Sequence, residues 1–361
     1  MNKPLRVIGL LLATILVSAA CGGTTPAATS SPAASVAASG TPAAQALPKP
    51  DKVDVKIGLS GVATIGLLPQ LVAKGLKLYE KYGLNVTFVS FSGAAQATQA
   101  LVAGQVDVGD NSGGPVVASL ATDSPHQMVF ITRHNLTDNL YTQKTIASAA
   151  DLKGKAIAIS SFGSQSHAGA LLALKSLGLT DKDVTLTLVG NDVARLAALK
   201  AGSVAGSMQD SAIAPELTAL GFKVMVELTK VTGIGGVPRT SLVVPPDFQK
   251  KYPNTTLLLV AAYLEGETEM RRQPDKAAEF LSADAQIEIN LAKQQVAIEL
   301  AAPWEPRDGI CDPTVMAFTK SVLLPTNPAI ANVDPAKACN NEFLLKLKDM
   351  GFQKKIGVPG Y

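Results

Sequence analysis

A unit of strand, Ser/Gly loop and helix, met repeatedly along the chain, limits the possible folds more than any other feature. Its clearest copy runs from Asp151 to Gly178 and reads DLKGKAIAISSFGSQSHAGALLALKSLG. A Lys153-Gly154-Lys155 turn leads into the apolar run Ala156-Ile157-Ala158-Ile159, and a loop from Ser160 to Ser166 follows. Ala168, Leu171, Leu174 and Leu177 then recur at helical spacing until Gly178 stops the pattern. Small polar residues therefore stand at a helix N-terminus. Free N–H groups and the positive end of the helix dipole favour an anionic or acceptor-rich ligand there. The alternative is that the serines only cap the helix.

The same order extends in both directions. Strand patterns cover 53–59, 85–91, 106–109 and 127–132, with helical spacing from Leu67 to Leu78, a short Ala/Gln helix ending at Gly104, and a helical segment from Pro115 to Ala121. After Gly178 come strand patterns at 185–189, 204–208 and 222–226, with a helix containing Leu196 and Leu199 that runs to Gly202. Alternation of this kind predicts parallel α/β sheets. ALVAGQVDVGDNS, beginning at Ala100, lies over ALKAGSVAGSMQD, beginning at Ala198, at a constant offset, which supports two similar lobes. Val237 to Val244 is predicted as a strand crossing back to the first lobe. Helices are expected over Thr255–Arg272, Asp275–Ala283 and Ala285–Ala301. A Pro-rich tail from Pro303 is then expected on the surface of the first lobe.

Ligands of open α/β sheets sit at the carboxyl ends of the strands. Those ends carry Ser60-Gly61, Ser92-Gly93, Asn111-Ser112, Ser160-Ser161 and Asp210-Ser211, five small polar loops that predict a donor-rich cleft. Arg239, on the predicted crossing strand, is either a fork for an anion in that cleft or a surface arginine on a hinge. Asp210 would repel a bare anion; if it faces the ligand, the ligand should also carry an amine or another donor. Phe162 is read as an apolar loop anchor or as a stacking face for a flat ligand.

Catalysis lacks a constellation. His126, His134 and His167 are scattered; the first two read as surface or cap residues, whereas His167 opens a cleft-facing helix. Ser166 has Ser164 and Ala168 where a nucleophile elbow needs glycines, and neither a P-loop nor a dinucleotide fingerprint occurs. The chain is expected to bind and not to catalyse, with no cofactor and no metal. With a formal net charge of +3 and no basic-aromatic interleaving, nucleic acid is excluded as a partner.

The N-terminus sets the compartment. Lys3 and Arg6 precede an apolar stretch, Val7 to Ala20, of signal-peptide length. Ser18-Ala19-Ala20-Cys21-Gly22 resembles the lipobox of bacterial lipoproteins, with Ser18 in place of the usual leucine, so lipid attachment at Cys21 is expected. Ordinary signal cleavage nearby is the alternative. Gly22 to Pro50 is almost wholly Ala, Pro, Ser, Thr and Gly, the composition of an extended tether. The remaining pair, Cys311 and Cys339, reads as a disulfide in an exported protein.

LLPQLVAKGLKLYEKYGLNVTFVSFSGAAQATQALVAGQVDVG resembles the solute-binding proteins of ABC importers, in the family for sulfonates, nitrate, taurine and thiamine-pyrimidine precursors. ASAADLKGKAIAI, GSQSHAGALLALKSLGL and ALKAGSVAGSMQDSAIAPELTALGF agree in the second lobe. The resemblance spans roughly residues 53 to 280. It implies a two-lobe, periplasmic-binding-protein-like (type II) α/β fold with two hinge crossings. The implied division is signal peptide 1–20, lipidated cysteine and tether 21–52, lobe 1 from 53–136 and 238–361, and lobe 2 from 137–237. It also implies ligand contacts at the three first-lobe loops and at Ser160, Ser161, Gly163, Ser164 and Asp210. The expected function is capture of a small anionic, sulfonate-, taurine- or nitrate-like solute by lobe closure. The implied partners are a membrane permease and its ATPase, and the body is monomeric and lipid-anchored on the extracytoplasmic face. Alternatives are a pyrimidine- or aromatic-compound-binding protein of the same fold, a sensory binding lobe, and a pyrimidine-synthase-like enzyme. The enzyme's cysteine cluster has no counterpart here.

Overall fold

A computed structural model describes residues 46–61, 65–233, 235–302 and 308–360. The expected signal peptide, Cys21 and most of the tether lie outside the described residues. Ala43–Tyr361 form one compact unit. Its strands are β1 (Asp54–Leu59), β2 (Asn85–Ser90), β3 (Val108–Asp110), β4 (Gln127–Ile131), β5 (Asp138–Thr142), β6 (Ala156–Ile159), β7 (Thr185–Leu188), β8 (Gly206–Asp210), β9 (Lys223–Glu227) and β10 (Ser241–Val244).

The strands form two five-stranded sheets of matching order, β2-β1-β3-β10-β4 and β7-β6-β8-β5-β9. In the first, β1 pairs parallel with β2 and β3, while β10 runs antiparallel between β3 and β4. In the second, β6 pairs parallel with β7 and β8, while β5 runs antiparallel between β8 and β9. Each sheet thus accepts one strand whose sequence neighbour belongs to the other sheet. Residues 132–137 and 228–240 carry the chain across, and these two crossings join two lobes.

The internal repeat holds at the level of structure. Helix Ala94–Val102 and helix Asp192–Lys200 occupy equivalent places, each nine residues long and each leading to the next strand of its sheet. Gly104 and Gly202 both turn with positive φ, at 67° and 72°, the backbone shape that a glycine adopts without steric penalty.

Two departures from the expected elements have clear causes. The predicted helix over Leu67–Leu78 stops at Gly75, Lys77 takes a left-handed φ of 56°, and a short helix Leu78–Lys81 follows. β5 has no counterpart in the sequence reading. It reads DNLYT, yet all five residues are buried, so its interior-facing polar side chains mask the strand pattern.

Helix Pro253–Arg272 fills the centre of the first lobe and is buried from Thr255 to Met270. Its apolar run TLLLVAAYL shows no polar face, as expected of a helix covered on every side. The tail does more than coat the first lobe. Helix Pro313–Leu323 packs against helix Gly113–Ser119 of that lobe and also against helix Gln165–Ser176 of the other. Phe343, Leu344 and Leu347 enter the first-lobe core. Cys311 and Cys339 are disulfide-bonded, with their Cα atoms 5.4 Å apart, and Cys339 bridges to Met128 on β4. No helix among the described residues is long and apolar enough to cross a membrane.

Candidate functional site

The parallel strands of both sheets point their carboxyl ends at the gap between the lobes, and a polar cavity of about 70 Å³ lies there. Ser60, Gly61, Ala94 and Ser112 line it from the first lobe; Ser160, Ser164, Gln165, Asn191 and Asp192 line it from the second. Arg239 and Thr240, from the second crossing, complete the wall. At roughly 10–15 Å³ of centre space per water, such a cavity holds a solute the size of a few waters.

The helices that follow these strands begin at the cavity. Ala94, Gln165 and Asp192 are the first residues of three of them, and the hydroxyl of Ser112 stands at the start of a fourth. Unbonded N–H groups and positive dipole ends therefore converge on one point. Three buried side-chain atoms of the lining have no hydrogen-bond partner among the described residues: Ser112 Oγ, Thr240 Oγ1 and Gln165 Nε2. Leaving such groups unpaired costs about 1–3 kcal/mol each, and an acceptor-rich solute relieves that cost.

The 160–166 loop is held by its own serines. Ser164 Oγ donates to Ser161 O at 2.6 Å and accepts from His167 N at 3.3 Å, capping helix Gln165–Ser176. Ser166 Oγ accepts from Ser160 N at 2.8 Å and bonds Ser160 Oγ at 3.0 Å. The capping reading is thus realised on this loop, and Ser160 and Ser164 also line the cavity.

A buried ion network underlies the cavity. Asp210, at the end of β8, accepts from Arg133 Nη1 at 2.8 Å and from Ala212 N at 2.7 Å, and it is ion-paired with Arg239. Burial alone would raise its carboxyl; Arg239 and Arg133 together overcome that and hold it below the ordinary carboxylate range. Arg239 also reaches Asp138 at 3.4 Å and Asp192 at 3.3 Å. Burial lifts the Asp138 carboxyl to about 6, despite Arg239 beside it. Arg133 extends the network to Glu299, with Nε 2.6 Å from Oε1. Arg195 donates to Met208 O at 2.9 Å and Gly190 O at 2.7 Å, and pairs with Asp192.

Of the residues expected at the ligand, Ser60, Gly61, Ser112, Ser160, Ser164 and Arg239 line this cavity. Ser92 and Gly93 lie at the rim, where a Cβ on Gly190 would stand 2.9 Å from Ser92 O. Asn111 turns inward, donating to Thr98 Oγ1 at 2.8 Å and accepting from Ser112 N at 2.9 Å. Ser161 and Gly163 face a neighbouring cavity. Asp210 does not line the cleft cavity. Its carboxylate is occupied by two arginines, so it sets no demand for an amine on the ligand. Arg239 is neither a surface residue nor a lone fork: it is buried and faces three carboxylates. His126 and His134, expected at the surface or at caps, are both buried.

Gln165 and Ser166, from the loop expected to favour an anion, also line the cavity, and so do Asn191, Asp192, Arg195 and Thr240, which the sequence pattern does not mark. The repeat could have found the Asn191-Asp192 loop, which stands where Gly93-Ala94 stands in the first lobe.

Comparison with known proteins places the family and the fold. The family described as NMT1/THI5 like matches residues 65–277. A taurine-binding periplasmic protein of Escherichia coli K12 is 28% identical over 213 residues; the match spans 57% of this chain and 64% of that protein, less than two thirds of its length. Riboflavin-binding protein RibY of Chloroflexus aurantiacus is 24% identical over 94% of this chain and 98% of its own. The alkanesulfonate-binding protein SsuA of Xanthomonas axonopodis pv. citri, bound to MOPS, shares the fold. Its TM-score is 0.67 and its identity 19%, over 82% of this chain and 99% of that one.

Proposed function

This chain belongs to the NMT1/THI5-like family, and from that premise we propose that it is the extracytoplasmic solute-binding component of an ABC importer. It captures a small acidic solute of the sulfonate, taurine or nitrate type and presents it to a membrane permease and its ATPase. The observation that carries the reading is the polar cavity between the lobes, with helix N-termini and unpartnered donors converging on it. Each charge-assisted hydrogen bond made there contributes about 1.5–3 kcal/mol. A solute touching both walls stabilises the closed arrangement by its differential affinity for that arrangement.

Several parts of the reading rest on sequence. The body is taken as lobe 1, residues 53–136 and 238–361, and lobe 2, residues 137–237. Cys21 is taken as the lipidated residue that anchors the protein, as a monomer, to the extracytoplasmic face of the membrane. Binding without turnover is favoured by the charges of the site: Asp210 and Arg239 are held in mutual ion pairs and not left as an acid or base facing the solute.

A second reading follows from RibY, whose similarity extends over nearly the whole chain. A cavity of about 70 Å³ is far too small for a flavin and favours the smaller solute. Thermal denaturation of the purified chain with taurine, alkanesulfonates, nitrate, pyrimidines and riboflavin decides between them. A ligand bound only by the native state raises the midpoint once its concentration exceeds its Kd. The expected result is a rise with one or more small sulfonates or nitrate. A rise with riboflavin alone replaces the cargo, and chemical turnover of any of these compounds refutes the binding-protein reading.

A further inference from the structure

We propose that a second cavity, beside the cleft and walled by both lobes, binds a small neutral aromatic molecule carrying one hydrogen-bond acceptor. Its volume is about 400 Å³, and it shares no lining residue with the cleft cavity. Ala95, Val102, Pro115 and Ala118 face it from the first lobe, Phe162 and His167 from the second. Along the first lobe, the point where Gly114 meets Gly163 falls between Ser112 of the cleft and Pro115 of this cavity.

Among the buried side-chain polar atoms of its lining, His167 Nε2 alone lacks a hydrogen-bond partner within the described residues. His167 is 1% exposed, and its Nδ1 accepts from Gly163 N at 3.0 Å. In a neutral ring the proton must then sit on Nε2, and that N–H has no partner among the described residues. Burial holds the imidazole down to about 4, so it is a neutral donor at physiological pH. Three of the neighbouring hydroxyls are already engaged as donors: Thr98 to Ala94 O, Ser119 to Val116 O and Thr122 to Ser119 O. No lining residue carries a formal charge, so a charged guest would lose its hydration without compensation. Phe162 meets His167 edge to face, with centroids 5.2 Å apart, yet it remains 60% exposed, leaving ring surface for a second aromatic. An apolar body with one acceptor matches what the walls offer.

This assignment does not depend on which solute the cleft takes, and its test uses none. Purified full chain is titrated with 4-fluoroacetophenone and followed by 19F NMR, with 4-fluorotoluene and 4-fluorobenzoate in parallel. Saturable binding of the ketone is expected, roughly 5-fold tighter than the toluene, as one neutral hydrogen bond supplies. The benzoate should bind more weakly than the ketone. Ala118→Trp, which fills the cavity, should abolish binding. Phe162→Ala, at an exposed position that leaves folding undisturbed, should weaken it several-fold; thermal denaturation checks that each variant is folded. Absence of saturable binding overturns the proposal. So does binding that Phe162→Ala leaves unchanged, or that persists in folded Ala118→Trp.

Discussion

Substituting Gly114 by alanine isolates lobe closure from lobe folding. Gly114 is the second residue of helix Gly113–Ser119 in the first lobe, and its φ is not in the left-handed region. Alanine there would ordinarily be neutral or stabilise by up to about 1 kcal/mol. The added Cβ, however, would stand 1.9 Å from the carbonyl oxygen of Gly163, on the second-lobe loop. It would also stand 2.8 Å from Leu323 Cδ1, a methyl that can turn aside, whereas the Gly163 backbone cannot. Restoring ordinary contact requires the two lobes to part by about 1.5 Å at this point. A solute that must reach both walls would lose about two charge-assisted hydrogen bonds, which at the lower end of about 1.5–3 kcal/mol each is on the order of 100-fold in affinity. Titration calorimetry with the solute found in the thermal screen should therefore show affinity reduced about 100-fold, equivalent to about 2.7 kcal/mol. The solute-free melting midpoint should be unchanged or slightly higher. Wild-type affinity in Gly114→Ala would refute the claim that these glycines meet in the solute-bound state.

Asp110, buried in the first lobe with Gln70 Nε2 2.5 Å from Oδ2, has its carboxyl pushed by burial to about 8, the Gln70 bond only moderating the rise. Its folded pKa exceeds the unfolded one, so its stabilising effect is complete below about pH 4 and lost as pH rises through about 8. Asp110→Asn should remove that loss, gaining on the order of 3–5 kcal/mol over wild type near pH 8 and little near pH 4. Urea unfolding across this range tests it, and parallel profiles for the two proteins would contradict it. Cys339→Ser opens a disulfide of sequence separation 28 and should cost about 3–4 kcal/mol. Reduction of the wild type should cost the same, and a substitution that leaves stability unchanged would show that the bond contributes nothing.

Local periodicity carried most of the fold. β6 falls on the predicted residues 156–159, and the strands around it differ from expectation by a few residues at their ends. β5 escaped because its buried Asp138 and Asn139 are polar. The loops of the site were legible for a similar reason: a strand end followed by serine or glycine is a local signal. What the chain assembles from distant residues was not. Asp210 meets Arg133 across 77 positions and Arg239 meets Asp138 across 101, so neither carboxylate could be recognised as already neutralised. The expectation that Asp210 faces a ligand fails for this reason, since its carboxylate faces another part of the chain.

The ion network also bears on how the two lobes can move. Arg133 stands on the first crossing and Arg239 immediately before β10 on the second, and both grip the carboxylate of Asp210. Two separate ribbons would permit twisting and sliding as well as bending. Riveted to one carboxylate, they behave as a single axle: rotation about the line joining them leaves the rivet intact, whereas shear would tear a buried charge from its partner, a rupture that costs several kcal/mol. Closure on a solute as proposed would then follow one stroke, bringing the serines of the two walls into the same register each time.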